Sequence, residues 1–151
     1  MTNKSTVTCF DVAAYILEKL GTMTAMKLQK LVYYSQAWSL VWDEAPLFEQ
    51  RIEAWASGPV VRQLYDVHKG MFMVSSLNKG NPDNLTKVQK ETIDAVLNFY
   101  GDKSAQWLSD LTHIEEPWKI ARNGVEEGEN CENEITIASM CEYYSEISRD
   151  T

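Results

Sequence analysis

A chain of 151 residues that is 44% hydrophobic and 24% charged sits in the ordinary globular range, and it is long enough to bury a core without a disulfide or metal staple. Its net charge of −8 repels phosphates, which argues against nucleic acid and against an anionic membrane surface as partners. No apolar run approaches the ~20 residues of a membrane helix and no charged-then-apolar signal opens the chain, so a reducing cytoplasm is the expected compartment.

The first predicted helix starts near Thr8, whose spacing to Asp11 suits a capping box. Phe10, Ala13, Ala14 and Leu17 recur on one helix face, and Gly21 is placed to end it in a left-handed conformation. A second helix is predicted after Thr24, over about 26–42. Leu28, Leu31, Val32, Ser35 and Trp38 line one face; Tyr34, Ala37, Val41 and Trp42 widen it, which places this helix at the centre of the fold. Lys27, Gln29 and Lys30 mark its early wet side. Residues 43–46 break the helix. Ile52, Ala54 and Ala56 then alternate with Arg51, Glu53 and Trp55, as in a short strand or extended segment. Pro59 suits the first turn of a helix, where a missing N–H costs nothing, and Val60, Val61, Leu64, Tyr65 and His68 continue that helix.

Residues 70–84 read as a long connection rich in turn formers. Within it, Met71-Phe72-Met73-Val74 is an apolar run on an expected surface. Thr86 and Gln89 form a second capping box, Ile93, Val96, Leu97 and Tyr100 supply the helical face, and Gly101 ends it. Ser104 caps a short helix with Trp107, Leu108 and Leu111, and Pro117 starts another that Gly124 ends. The acidic stretch 126–134 is expected to be a solvated loop. Thr136 caps the last helix, with Ile135 and Met140 at staple spacing and Ile137, Met140, Cys141, Tyr144 and Ile147 facing the core. The expected architecture is mainly α: a single compact helical domain over 1–151, built around a central apolar helix, with at most a short extended or β segment near 47–57.

Candidate chemistry is sparse. Cys9, Cys131, Cys141, His68 and His113 are scattered, without the short-spaced pair that metal sites use or the regular spacing of a disulfide framework. No glycine-rich phosphate loop appears, so neither metal nor cofactor is expected. His113, near Glu115 and Glu116, is the best acid–base candidate, and a hydrolase using His113 and Glu116 is the enzymatic reading. The alternative has His113 tie down the turn before Pro117, since no nucleophile or pocket motif accompanies it. Glu53 beside Trp55 reads as a half-buried acid held by backbone N–H groups, Arg51 or Arg62. Met71, Phe72, Met73 and Val74 combine flexible sulfur side chains with an aromatic, a combination that re-packs against varied partners; the competing reading is a lid folded onto the core.

Three segments give the chain a recognisable character: Met26-Lys27-Leu28-Gln29-Lys30-Leu31-Val32-Tyr33-Tyr34, then Ile52-Glu53-Ala54-Trp55 with Gly58-Pro59-Val60-Val61, then Leu108-Ser109-Asp110-Leu111-Thr112-His113 with Pro117-Trp118 and Ala121-Arg122. As a set, these resemble the Panacea domain family, which includes SocA-like antitoxins and phage-associated GepA-type proteins. Arg62-Gln63 stands where the family pattern has a proline or an acid, and residues 71–84 and the acidic loop follow no family pattern. The resemblance implies a non-enzymatic, phage- or prophage-associated antitoxin that neutralises a co-encoded toxin, the product of a neighbouring gene, by direct protein binding. Some related proteins hand a toxin to a protease, so the alternative is a proteolytic adaptor with a protease as second partner. On this reading Lys27, Leu28, Gln29, Lys30, Tyr33, Glu53, Trp55, Gly58, Pro59, His113, Pro117 and Trp118 are structural. An acidic antitoxin also steers toward a basic toxin.

Overall fold

The computed structural model describes residues 6–149 and is mainly α; the ends of the expected 1–151 domain lie outside the described residues. In chain order, α1 (Cys9–Leu20), β1 (Met23–Thr24) and α2 (Ala25–Trp42) lead to the hairpin strands β2 (Ile52–Trp55) and β3 (Gly58–Val61). Next come α3 (Arg62–His68), β4 (Met73–Val74) and a 3-10 turn at Pro82–Asn84. The rest is α4 (Lys87–Tyr100), α5 (Ala105–Ile114), α6 (Glu116–Arg122), β5 (Glu134–Ile135) and α7 (Ile137–Arg149).

Helix starts follow local chemistry. Thr8 and Asp11 exchange capping bonds at the head of α1, and Thr86 and Gln89 do so at α4. Thr24 accepts from Lys27 N, and Ser104 from Trp107 N. Each bond satisfies an N–H that the helix itself leaves without a partner. Thr136 does the same for Ser139 N at the start of α7, where Ile135 and Met140 are both buried. Ile137 is exposed rather than core-facing. Gly21 takes φ 80 after α1, but Gly101 ends α4 at φ −65 and needs no left-handed freedom.

The β structure exceeds expectation. Gly58, Pro59, Val60 and Val61 are not the start of a helix; they form a strand paired antiparallel with β2, Ala54 facing Pro59 and Trp55 facing Gly58. The strand order is β3-β2-β5. Pro59 is therefore on an edge strand, where its missing N–H breaks no ladder bond, and the following helix begins only at Arg62. The acidic stretch returns to the sheet at Glu134–Ile135, against Glu53 and Ile52. A second, two-stranded sheet pairs β1 with β4.

All seven α-helices of the described residues feed one hydrophobic cluster. α2 packs against α1, α4, α5, α7 and β3, and its Leu28, Leu31 and Val32 are fully buried, each contributing roughly 1.5–3 kcal/mol of burial. The helix is not apolar throughout: Gln29, Lys30, Ser35, Gln36 and Ser39 are buried as well. The expected wet side survives only at half-buried Lys27, whose Nζ donates to Gly101 O at 2.7 Å. Ser35 donates to Leu31 O within the helix at 2.8 Å; the other four go inside because the chain that wraps α2 needs hydrogen bonds. Gln36 accepts from Leu47 N (2.7 Å) and donates to Phe48 O (2.8 Å), and Ser39 donates to Ala45 O (2.6 Å).

Candidate partner-binding site

The site is built where the start of α2 meets the β2–β3 hairpin. The Gln29 side chain acts as a surrogate strand neighbour for β3: its Oε1 accepts from Val61 N at 2.8 Å and its Nε2 donates to Val61 O at 3.2 Å. Nε2 also lies 3.0 Å from His68 Nε2. An amide nitrogen only donates, so this imidazole nitrogen accepts and is unprotonated. That agrees with a His68 pKa lowered by burial and by the nearby Lys30 charge. Lys30 is fully buried and donates to Pro59 O at 3.2 Å; burial pushes its ammonium down to about 7.

Gly58 completes this contact. It has φ +115, and a Cβ there would stand 2.6 Å from Lys30 Cε and 2.9 Å from Thr112 Oγ1. The Lys-Leu-Gln-Lys and Gly-Pro segments are therefore two halves of one interface.

The third segment clamps the same hairpin from the other chain end. Four successive carbonyls each take a donor from α5 or α6: Ala54 from Arg122 (2.9 Å), Trp55 from Trp118 (2.8 Å), Ala56 from His113 (3.0 Å) and Ser57 from Ser109 (2.7 Å). Since a carbonyl only accepts, His113 Nε2 carries its proton toward Ala56, and the ring rests 4.2 Å from Trp118. Glu116 is exposed, whereas its neighbour Glu115 is buried and accepts from Tyr34 and Tyr144 hydroxyls, both at 2.7 Å. Burial raises the Glu115 carboxyl to about 6. Glu53 is held by Trp55 Nε1 (2.8 Å), Arg51 (2.9 Å) and Arg62 (3.6 Å). The arginines are those expected, but a tryptophan donor takes the place of backbone N–H.

On this scaffold sits the 71–74 run. Thr24 pairs with Met73 and Met23 with Val74, and Ala25 N donates to Phe72 O at 2.9 Å, so the run supplies an acceptor for the first N–H of α2. The backbone is pinned while Met71, Phe72 and Met73 point outward, Phe72 being 78% exposed. Val74 does not share that surface; it is 1% exposed and part of the core. Met71 and Phe72 border a pocket of about 250 Å³ whose other walls include Gln29, Lys30, Trp55, Tyr65 and His68. The structure thus joins the predicted apolar run to Trp55 and to Gln29 and Lys30, the last two about 40 positions upstream. Trp42 and Phe99 are exposed at the α2–α4 surface, outside the expected core faces; Ala95 and Phe99, one helical turn apart, are the local signal for it.

Among the described residues, no group of three or more His, Cys, Asp or Glu side chains is placed to hold a metal ion, Cys9, Cys131 and Cys141 are unpaired thiols, and no helix is long and apolar enough to cross a membrane. A family model described as "Antitoxin SocA-like, Panacea domain" matches residues 28–119, more than half of the chain, taking in the first motif segment from Leu28 onward, the whole of the second and the third as far as Trp118. Comparison with curated proteins and with solved structures gave no match.

Proposed function

The chain belongs to the SocA-like antitoxin family of Panacea domains, and from that premise we propose that it neutralises a co-encoded protein toxin by direct binding, in the cytoplasm and without chemistry of its own. The observation that carries the binding part is the ridge of Met71, Phe72 and Met73. Its side chains are exposed while its backbone is fixed by β1 and by the head of α2. A pre-ordered apolar ridge loses little conformational entropy on docking, and its methionines adapt to partner shape.

The acidic chain, at −8, favours encounter with a basic toxin. Glu53, His113 and Trp118 act in this reading as hairpin supports rather than as contact or catalytic groups. Co-expression with the neighbouring gene product tests the proposal: growth is rescued by the parent chain and not by Phe72→Asp. A toxin whose effect persists beside the parent chain overturns it. A toxin whose half-life shortens when the chain is present identifies the protease-adaptor alternative instead.

A further inference from the structure

The ridge leaves a second surface unused, where α2, α4 and α7 meet. Trp38, Trp42, Phe99, Tyr100 and Ile147 line a groove of about 510 Å³ there. Trp42 is 48% and Phe99 61% exposed, large fractions for side chains whose burial is worth so much. The rings are nevertheless held in place. Trp38 stacks on Trp42 with centroids 5.1 Å apart, Phe99 meets Tyr100 edge-on at 4.7 Å, and Trp38 Nε1 donates to the Tyr100 hydroxyl at 3.0 Å. Ala95, one turn before Phe99, is also part of the lining and keeps the space between the rings open.

The groove does not stop at Ile147. That residue also lines an adjoining hollow of about 280 Å³, whose walls carry Glu116, Glu142 and Glu146 together with Ile120 and Tyr143. Among the described residues, no lysine or arginine lines either part. Arg149 stands 3.7 Å from Glu146 in an exposed pair that water screens. Burial and the charges of Glu115 and Glu116 raise the Tyr143 phenol, as a negative field requires. The surface is therefore aromatic at one end and acidic at the other.

We propose that this groove binds an amphipathic helix of a basic partner protein, its apolar face against Trp42 and Phe99 and its lysine or arginine side chains against Glu116, Glu142 and Glu146. A groove between helices is the usual seat of such a helix, read through anchors three or four residues apart. A second copy of this chain is the poorer occupant, since it brings the same carboxylates and the same net charge of −8 to face their like. The inference goes beyond the antitoxin reading: the groove and the Phe72 pocket share no lining residue.

The test uses the full chain and two synthetic helical peptides with one common leucine face, one flanked by lysines and the other by glutamates, titrated by calorimetry and tryptophan fluorescence. The lysine peptide is expected to bind at least about tenfold more tightly, and to lose about tenfold on Phe99→Asp and on the double change Glu142→Lys with Glu146→Lys, in line with loss of an interface anchor. Ala95→Trp, which fills the groove without removing a ring, gives the same loss. Absence of binding, equal affinity for both peptides, or binding that survives both Phe99→Asp and Ala95→Trp overturns the proposal. So does a dimer in sedimentation that Phe99→Asp dissolves, which would make a second copy the occupant. None of these outcomes affects the co-expression experiment, which reads Phe72.

Discussion

Replacing Lys30 by methionine should stabilise the protein at neutral and mildly acidic pH. The ammonium is fully buried, its bond to Pro59 O is a long 3.2 Å, and burial carries its pKa from 10.5 down to about 7. Between those values the unfolded chain binds more protons than the folded one, so stability rises with pH across this window; below about pH 7 both states hold the proton and the folded state bears the whole cost. That cost is of the order of 5 kcal/mol. Lys30→Met removes it but leaves Pro59 O without its donor, a loss of about 1–3 kcal/mol. The net expectation is a gain of roughly 2 kcal/mol at pH 6. The advantage should shrink as pH rises and disappear before pH 10, since the parent gains stability there and the methionine has no proton to lose. Urea denaturation followed by tryptophan fluorescence, in paired runs from pH 6 to pH 9.5, measures the difference directly. A variant less stable than the parent at pH 6, or a difference that does not change with pH, would refute the reasoning.

Three further outcomes follow from the same geometry. Glu115, raised from 4.5 to about 6 by burial, holds its proton longer folded than unfolded, so stability falls as pH climbs from 4.5 to 6, by roughly 2 kcal/mol; Glu115→Gln flattens this limb in thermal melts, and an unchanged slope counts against the assignment. Gly58→Ala meets both a left-handed φ of +115 and the Lys30 and Thr112 side chains, and should cost about 2 kcal/mol or more in denaturant titration; an unaltered midpoint contradicts the tight contact. Phe72→Asp leaves the melting temperature unchanged while weakening toxin binding, whereas Val74→Ala, two positions on, costs roughly 2 kcal/mol of stability; the opposite pattern would make Phe72 the core residue.

Helix starts were legible because caps are local. Thr8, Thr24, Thr86 and Ser104 each bond an N–H three residues on. The Gly58-Pro59 segment was misread for the converse reason. A proline suits both a first helical turn and an edge strand, and only the pairing with β2 decides between them. Gln29 and Lys30 looked wet because their acceptors, Val61 O and Pro59 O, lie 32 and 29 residues away. Nothing within α2 announces them.

The three motif segments were recognisable as a set without a stated reason for travelling together. The hairpin supplies that reason, with Gln29 and Lys30 holding β3 while Ser109, His113, Trp118 and Arg122 hold four carbonyls in a row. Along 71–74 the composition is uniformly apolar. What separates Val74 from its neighbours is strand geometry, with Val74 turned inward opposite Met23.

Stoichiometric neutralisation is the most direct consequence of direct binding. Purified chain titrated against the purified product of the neighbouring toxin gene, with no protease present, should abolish the toxin's activity at equimolar ratio and form a complex that Phe72→Asp disrupts. A toxin that stays fully active beside saturating chain would contradict the claim that direct binding is how this protein works.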